Sequence, residues 1–197
     1  MRGDPVFSEH SLMVLDGKEH LMSKIIKEVK GLYHIIEMKL FRKTPGVLFD
    51  LYPLKTLPHI DSIDRVLHEG GADSPGAVGD TSLTWYMHEH QADNLVVLHG
   101  QRTVHLYNKE HGRVEEFVVQ PQRIYHNGTL VFEGGAVLSW PTHVFHRIKS
   151  GEEGSASINL AVHYEGFDIR SNFDIYDLNT KTGEYKVLRK GYEDQFD

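Results

Sequence analysis

Trp85-Tyr86-Met87-His88-Glu89-His90-Gln91-Ala92-Asp93-Asn94-Leu95-Val96-Val97-Leu98-His99-Gly100 is the stretch whose reading decides the fold. In extended chain successive side chains alternate faces, so His88 and His90 project the same way. A short polar turn then offers the Asp93 carboxylate, and Leu95-Val96-Val97-Leu98 reads as a second, buried strand stopped by Gly100. Two imidazole nitrogens and one carboxylate at adjoining strand ends make a face for a divalent metal, with positions left open for water or substrate. With 14 histidines in 197 residues, a His-x-His pair is expected roughly once by chance. A second segment gives the pair its weight. In Gly135-Ala136-Val137-Leu138-Ser139-Trp140-Pro141-Thr142-His143-Val144-Phe145-His146-Arg147 one strand ends at Pro141 and the next begins beside a histidine.

Outward from these segments the chain is a series of short strands. Residues 102–107, 114–119, 129–132 and 136–140 read as strands separated by turn formers, and Asn127-Gly128 supplies the positive φ angles of a two-residue hairpin loop. Residues 145–149 put His146 and Ile148 on one face and Arg147 on the other. Residues 155–164 alternate, with Ile158, Leu160, Val162 and Tyr164 expected to be buried and Ser157, Asn159, Ala161 and His163 on the opposite side. Residues 173–178 and 184–188 read as a terminal hairpin covering a sheet edge. Many short strands with almost no helix predict an antiparallel sandwich or barrel, an all-β fold.

The first third is less regular. Leu21, Ile25, Ile26, Val29 and Leu32 fit a short helix over residues 18–37, interrupted by Gly31. Residues 33–41 and 47–52 read as strands around the turn Lys43-Thr44-Pro45-Gly46. Residues 69–79 form a glycine-rich loop, read as a connector or lip over the barrel mouth; without a Gly-Lys-Ser/Thr ending it is no phosphate cradle. The division that results is an N-terminal extension (1–73) packing on the barrel or on a partner subunit, a barrel (74–164) and a C-terminal hairpin (165–197), together one domain.

Composition narrows the function. Twenty-eight acidic against 21 basic residues leave a net charge of −7, which gives no footprint for nucleic acid or an anionic membrane. The absence of cysteine removes thiol nucleophiles, zinc-thiolate sites and disulfides. Residues 1–19 carry scattered charge and no apolar segment, so neither a secretory signal nor a membrane span is expected there, and a cytoplasmic protein is the default.

The two segments resemble the paired motifs of the cupin superfamily. His88 and His90 match its His-x-His, Asp93 stands seven positions before Gly100 where the family has a glutamate, and Gly135, Pro141 and His146 match the second motif in spacing. Counted forward from His90 the acidic position falls on Asn94, so Asp93, Asn94 or water completes the set. His143 stands at the family's glycine, Ser150 at its asparagine and Ser82 at its leading glycine. The resemblance implies a jelly-roll barrel, the double-stranded β-helix, holding one divalent transition metal (Fe, Mn, Ni, Co or Zn) on His88, His90, Asp93 and His146. It implies oxygenase- or isomerase-type chemistry on a small molecule. Tyr86, two residues before His88, is the candidate catalytic side chain, with Trp85 and Trp140 nearby; a homodimer is expected. Two alternatives stand beside this reading. The run from Gln91 to Gly100 is also similar to the corresponding strand of metal-free deoxysugar 3,5-epimerases, with His88 as base and Tyr86 as acid. The other alternative is a non-catalytic small-molecule-binding cupin.

Overall fold

The computed structural model describes residues 24–196. Isoleucine, valine and tyrosine dominate its first segment and favour a pleated surface. β1 (Ile25–Val29) and β2 (Tyr33–Glu37) accordingly form a hairpin, with Gly31 at φ 76° in the turn. The helix expected over residues 18–37 is therefore corrected to two strands from residue 25 on, and its first residues lie outside the described ones. β3 (Lys39–Thr44) and β4 (Val47–Leu51) pair only with each other.

The remaining strands make one large antiparallel sheet that curls on itself. They are β5 (Ser62–His68), β6 (Asp73–Ser74), β7 (Trp85–Met87), β8 (Gln91–Tyr107), β9 (Glu115–Gln120), β10 (Arg123–His126), β11 (Thr129–Glu133), β12 (Ala136–Trp140), β13 (Phe145–His163), β14 (Ile175–Asn179) and β15 (Glu184–Arg189). The central path runs β1-β2-β12-β8-β13-β7-β14-β15, with β9 on β8, and β5 and β6 on β13. Strands from both sides of the 73/74 boundary are thus hydrogen-bonded in the same sheet. Asn127 and Gly128 take φ 48° and 77° between β10 and β11, as the hairpin reading requires. β14 covers the edge of β7.

Two long strands organise this sheet. Gly100 reads as a strand end, yet β8 continues through it and β13 continues through residues 149–154. The second half of β13 pairs with the first half of β8, and the first half of β13 with the second half of β8. At the crossing Gly100 has φ 69° and Gly154 φ 79°, and a Cβ on Gly100 would stand 2.1 Å from the Gly154 carbonyl oxygen. Glycine there lets both strands bend while their pairing resumes on each side.

The bend also shifts the side-chain parity. Core-facing positions of β8 are Asp93, Leu95 and Val97 before it and Arg102, Val104 and Leu106 after it. In β13 the register slips between Ser150 and Ser155 and again between Ala156 and Ser157. The faces expected for residues 155–164 are therefore largely exchanged. Ser157 (1% exposed) and Ala161 (0%) point to the core, Ile158 and Leu160 are half-buried, Tyr164 is exposed, and only Val162 is buried as expected. Leu95, Val97, Val104, Leu106, Phe117 and Leu138 anchor the main core, and Trp85, Met87, Tyr107, Phe145 and Tyr176 form a second cluster beneath the C-terminal hairpin. Burial of such side chains is worth about 1.5–3 kcal/mol each.

Candidate functional site

β7 and β13 pair so that Tyr86 stands opposite His146, and β8 and β12 pair so that Asp93 stands opposite Trp140. His88 follows directly on β7. His88, Asp93 and His146 are each at most 4% exposed, and one ligand atom from each lies within 4.8 Å of the others. The two imidazoles are 4.8 Å apart between centroids, Tyr86 lies 5.9 Å from His146 and 6.4 Å from His88, and Phe173 packs edge-on against His88.

His90 is not part of this cluster. β7 ends at Met87, and the next three residues form a bend held by backbone hydrogen bonds from His143 N–H to the His88 oxygen and from Tyr164 N–H to the His90 oxygen, both 2.8 Å. Extended-strand alternation does not apply across a bend, so the two side chains separate. The His90 ring is 43% exposed, lies beside Gly166 and lines a different surface groove with Asp168 and Lys190. Asn94 is also outside the cluster: it donates to the Leu160 oxygen and accepts from Ser139 Oγ. Of the two acidic-position candidates, Asp93 is the one in the site. His143 has φ 62°, which accounts for the preference for glycine at that place in the resemblance.

The hydrogen bonds fix the protons. His88 Nδ1–H donates to the Asn172 carbonyl oxygen (2.5 Å) and His146 Nδ1–H to that of Val144 (3.2 Å), since a carbonyl only accepts. In the neutral rings both Nε2 atoms are then bare acceptors. They face Asp93 Oδ2 at 3.5 and 4.0 Å. Asp93 Oδ1 accepts from Gln91 Nε2 and Asn159 Nδ2, each at 2.7 Å, while Oδ2 is buried without a hydrogen bond. Three acceptors facing one another form a site that could take a cation. Burial, reinforced by His88, lowers the His146 pKa to about 4 against the opposing pull of Asp93, so this ring is neutral at pH 7. Burial raises the Tyr86 phenol above its ordinary value, against a partly opposing hydrogen bond to Ser74, so it keeps its proton.

Tyr86, His88 and Asp93 line a cavity of about 130 Å³ together with Trp140, Ser157 and Arg102. His68 lines it as well. Asp93 Oδ2, Trp140 Nε1, Ser157 Oγ and His68 Nδ1 are buried and unpartnered among the described residues. Such groups cost about 1–3 kcal/mol each unless something pairs with them, which marks the cavity as a place for a polar ligand. Gln91, Asn159, Asn172 and Arg102 are site residues that the sequence reading missed. Asn159 and Ser157 were visible as the polar set of an alternating strand, whereas nothing local ties Asn172 or Phe173 to His88.

No family model matches the chain, and no curated protein matches it. Solved structures do. One is dTDP-4-dehydrorhamnose 3,5-epimerase from Elizabethkingia anophelis, 15% identical, with a TM-score of 0.54 over 79% of this chain and 80% of that one. Another is dTDP-6-deoxy-D-glucose-3,5-epimerase RmlC from Legionella pneumophila in complex with dTDP-4-keto-L-rhamnose, 11% identical, with a TM-score of 0.55 over 84% and 85%. The fold is thus an RmlC-like jelly roll, the barrel that the resemblance of the two histidine segments implies. The main functional expectation does not hold. Metal-dependent chemistry of the oxygenase or isomerase type is overturned, because these neighbours are sugar-nucleotide epimerases and agree better with the epimerase alternative. The loss of His90 from the cluster also breaks the four-ligand set on which that expectation was built.

Proposed function

We propose that this chain is a sugar epimerase or isomerase that moves a proton at a carbon next to a carbonyl, on a nucleotide-linked or related sugar. The observation that carries the reading is the His88 imidazole in the cavity wall, its tautomer set by the Asn172 carbonyl and its Nε2 beside Asp93 and Tyr86. In the proposed reaction the C–H bond next to the carbonyl breaks, its proton passes to His88 Nε2, and the electron pair moves onto the carbonyl oxygen as an enolate. Asp93 stabilises the imidazolium. Tyr86 returns a proton to the carbon from the other side, which inverts its configuration. His146 is a positioning residue behind His88.

The test is incubation with dTDP-4-keto-6-deoxyglucose in deuterium oxide, followed by mass spectrometry. Deuterium incorporation above the buffer rate into that sugar or into its C6-carboxylate counterpart, a nucleotide-linked 4-keto-glucuronate, lost in His88→Ala, is expected; no incorporation into either by the wild-type protein refutes the reading. A resident divalent transition ion on His88, Asp93 and His146 is a competing proposal, supported by the acceptor geometry and free of oxygenase chemistry; it would take the His88 Nε2 lone pair and so excludes His88 as the base. Elemental analysis of untagged, metal-loaded protein tests it: one equivalent, lost in His146→Ala, is expected, and none in the wild type refutes it.

Among the described residues no helix is long and apolar enough to cross a membrane. A cytoplasmic location is proposed, to be checked by imaging the tagged chain. A homodimer is proposed as well. Ile63 (66% exposed), Leu67 (58%) and Leu98 (54%) lie on the outer faces of β5 and β8, beside the half-buried Ile158 and Leu160 of β13. Sedimentation analysis of the wild type and of Leu67→Lys decides whether that face pairs two copies.

A further inference from the structure

Arg102 is the largest fully buried side chain of the described chain, at 1% exposed, and it lines the same cavity as His88 and Tyr86. Its Nε donates to Ser155 Oγ at 3.1 Å and its Nη2 to the Val66 carbonyl oxygen at 3.0 Å. Both partners are neutral. A guanidinium has five N–H donors, so most of the fork is left over. Among the described residues no carboxylate forms an ion pair with Arg102, and burial alone lowers its pKa to about 10. Buried cations are ordinarily paired, because an unpaired one costs several kcal/mol of desolvation. The cavity wall carries the Asp64 and Asp93 carboxylates, neither of them ion-paired with Arg102, and further donors. Ser157 Oγ and Trp140 Nε1 are buried, unpartnered and in the same cavity wall, while the His68 ring beside Arg102 is held neutral by burial and by the guanidinium.

We propose that Arg102 is the counter-ion of a substrate oxyanion, and that the sugar entering this cavity carries an acidic group on its reacting end. This rests on the proton-transfer reading above for what the molecule does, though not for its charge. A cavity of about 130 Å³ has room for a sugar-sized fragment within its walls, with any nucleotide lying outside them. The anion that meets Arg102 therefore belongs to the fragment that also meets His88. A carboxylate fits best, since the planar fork of arginine pairs it through two parallel hydrogen bonds. An uncharged 6-deoxy ring would leave the guanidinium without a partner.

Thermal shift at fixed ionic strength tests this with two matched pairs of probes, D-glucuronate against its methyl ester and dTDP against thymidine. A rise in Tm of about 3 °C or more with glucuronate at saturation, absent with the ester and absent in Arg102→Gln, is the expected result. A rise with dTDP alone, over thymidine, overturns the placement of the anion on the reacting end. Equal responses to glucuronate and its ester, no response to either, or a glucuronate response retained in Arg102→Gln overturn the subsite altogether. Should Arg102→Gln fail to fold, the wild-type comparison of acid and ester still decides. Failure of the two readings is distinguishable: deuterium exchange without discrimination between acid and ester removes the Arg102 subsite alone, and discrimination without exchange removes the proton-transfer reading alone.

Discussion

Asp93→Asn separates stability from chemistry at this site. The amide keeps an oxygen where Gln91 Nε2 and Asn159 Nδ2 donate, at 2.7 Å each, and places an N–H₂ group where Oδ2 now faces two bare imidazole nitrogens at 3.5 and 4.0 Å. A buried acceptor without a donor costs about 1–3 kcal/mol. Because the new contacts are long, the gain sits at the low end, about 1 kcal/mol, or a rise in Tm of about 2–4 °C for a chain of this size. Activity moves the other way. An amide N–H directed at His88 Nε2 occupies the lone pair that accepts the substrate proton, and a neutral amide does not stabilise an imidazolium, so deuterium exchange falls at least ~10²-fold. Calorimetry and the exchange assay on the same preparation read both effects. A variant that unfolds several degrees below the wild type, or exchanges within ten-fold of it, would falsify the assignment of the proton positions.

Further expectations follow from other parts of the molecule. His90→Ala leaves exchange unchanged while His88→Ala abolishes it, because the His90 ring lies in a different groove; equal losses would place His90 back in the site. Gly100→Ala combines φ 69° with a Cβ 2.1 Å from the Gly154 oxygen, so it destabilises by about 3 kcal/mol or more, read as a drop in the denaturation midpoint. Glu115, 0% exposed, accepts from Arg113 Nε, His111 Nε2, His126 Nε2 and Asn127 Nδ2, which outweigh the effect of its burial and lower its pKa from 4.5 to about 2. A depressed carboxylate contributes stability that is present above pH 4.5 and lost as pH falls towards 2, here about 3 kcal/mol, and Glu115→Gln removes that part of the acid limb. His68, lowered from 6.5 to about 4 chiefly by burial and then by Arg102, acts earlier. The unfolded chain binds that proton first, so stability declines from pH 6.5 to about 4, and His68→Gln flattens this window in acid titrations.

The fold was legible because short strands, turn formers and the two histidine segments agree at every level. His88, Asp93 and His146 were reachable from spacing, since each lies on or next to a strand whose partner the motifs imply. Two things were not. A strand reading carries alternation through residues 88–90, where the chain bends, and so it placed His90 beside His88. Local pattern also has no access to a bulge, and the parity change at Gly100 and Gly154 turned Ser157 and Arg102 inward and left Ile158, Leu160 and Tyr164 out of the core where they were expected. Asn172 reaches His88 across 84 residues of sequence, a contact that only the docking of the segment after β13 creates.

The double bend at Gly100 and Gly154 has a bearing on how this barrel can change over time. Asp93 and Arg102 are nine residues apart on one strand, an odd interval that would send them to opposite sides of a regular ribbon; the slip in phase brings both into one chamber. Straightening the strand at this bend with its length unchanged would restore the regular phase and turn the guanidinium to the outside, leaving the acid–base pair in place without its cation. Relatives in which larger residues replace both glycines and the crossing runs straight should therefore have shed a preference for charged substrates in the same step.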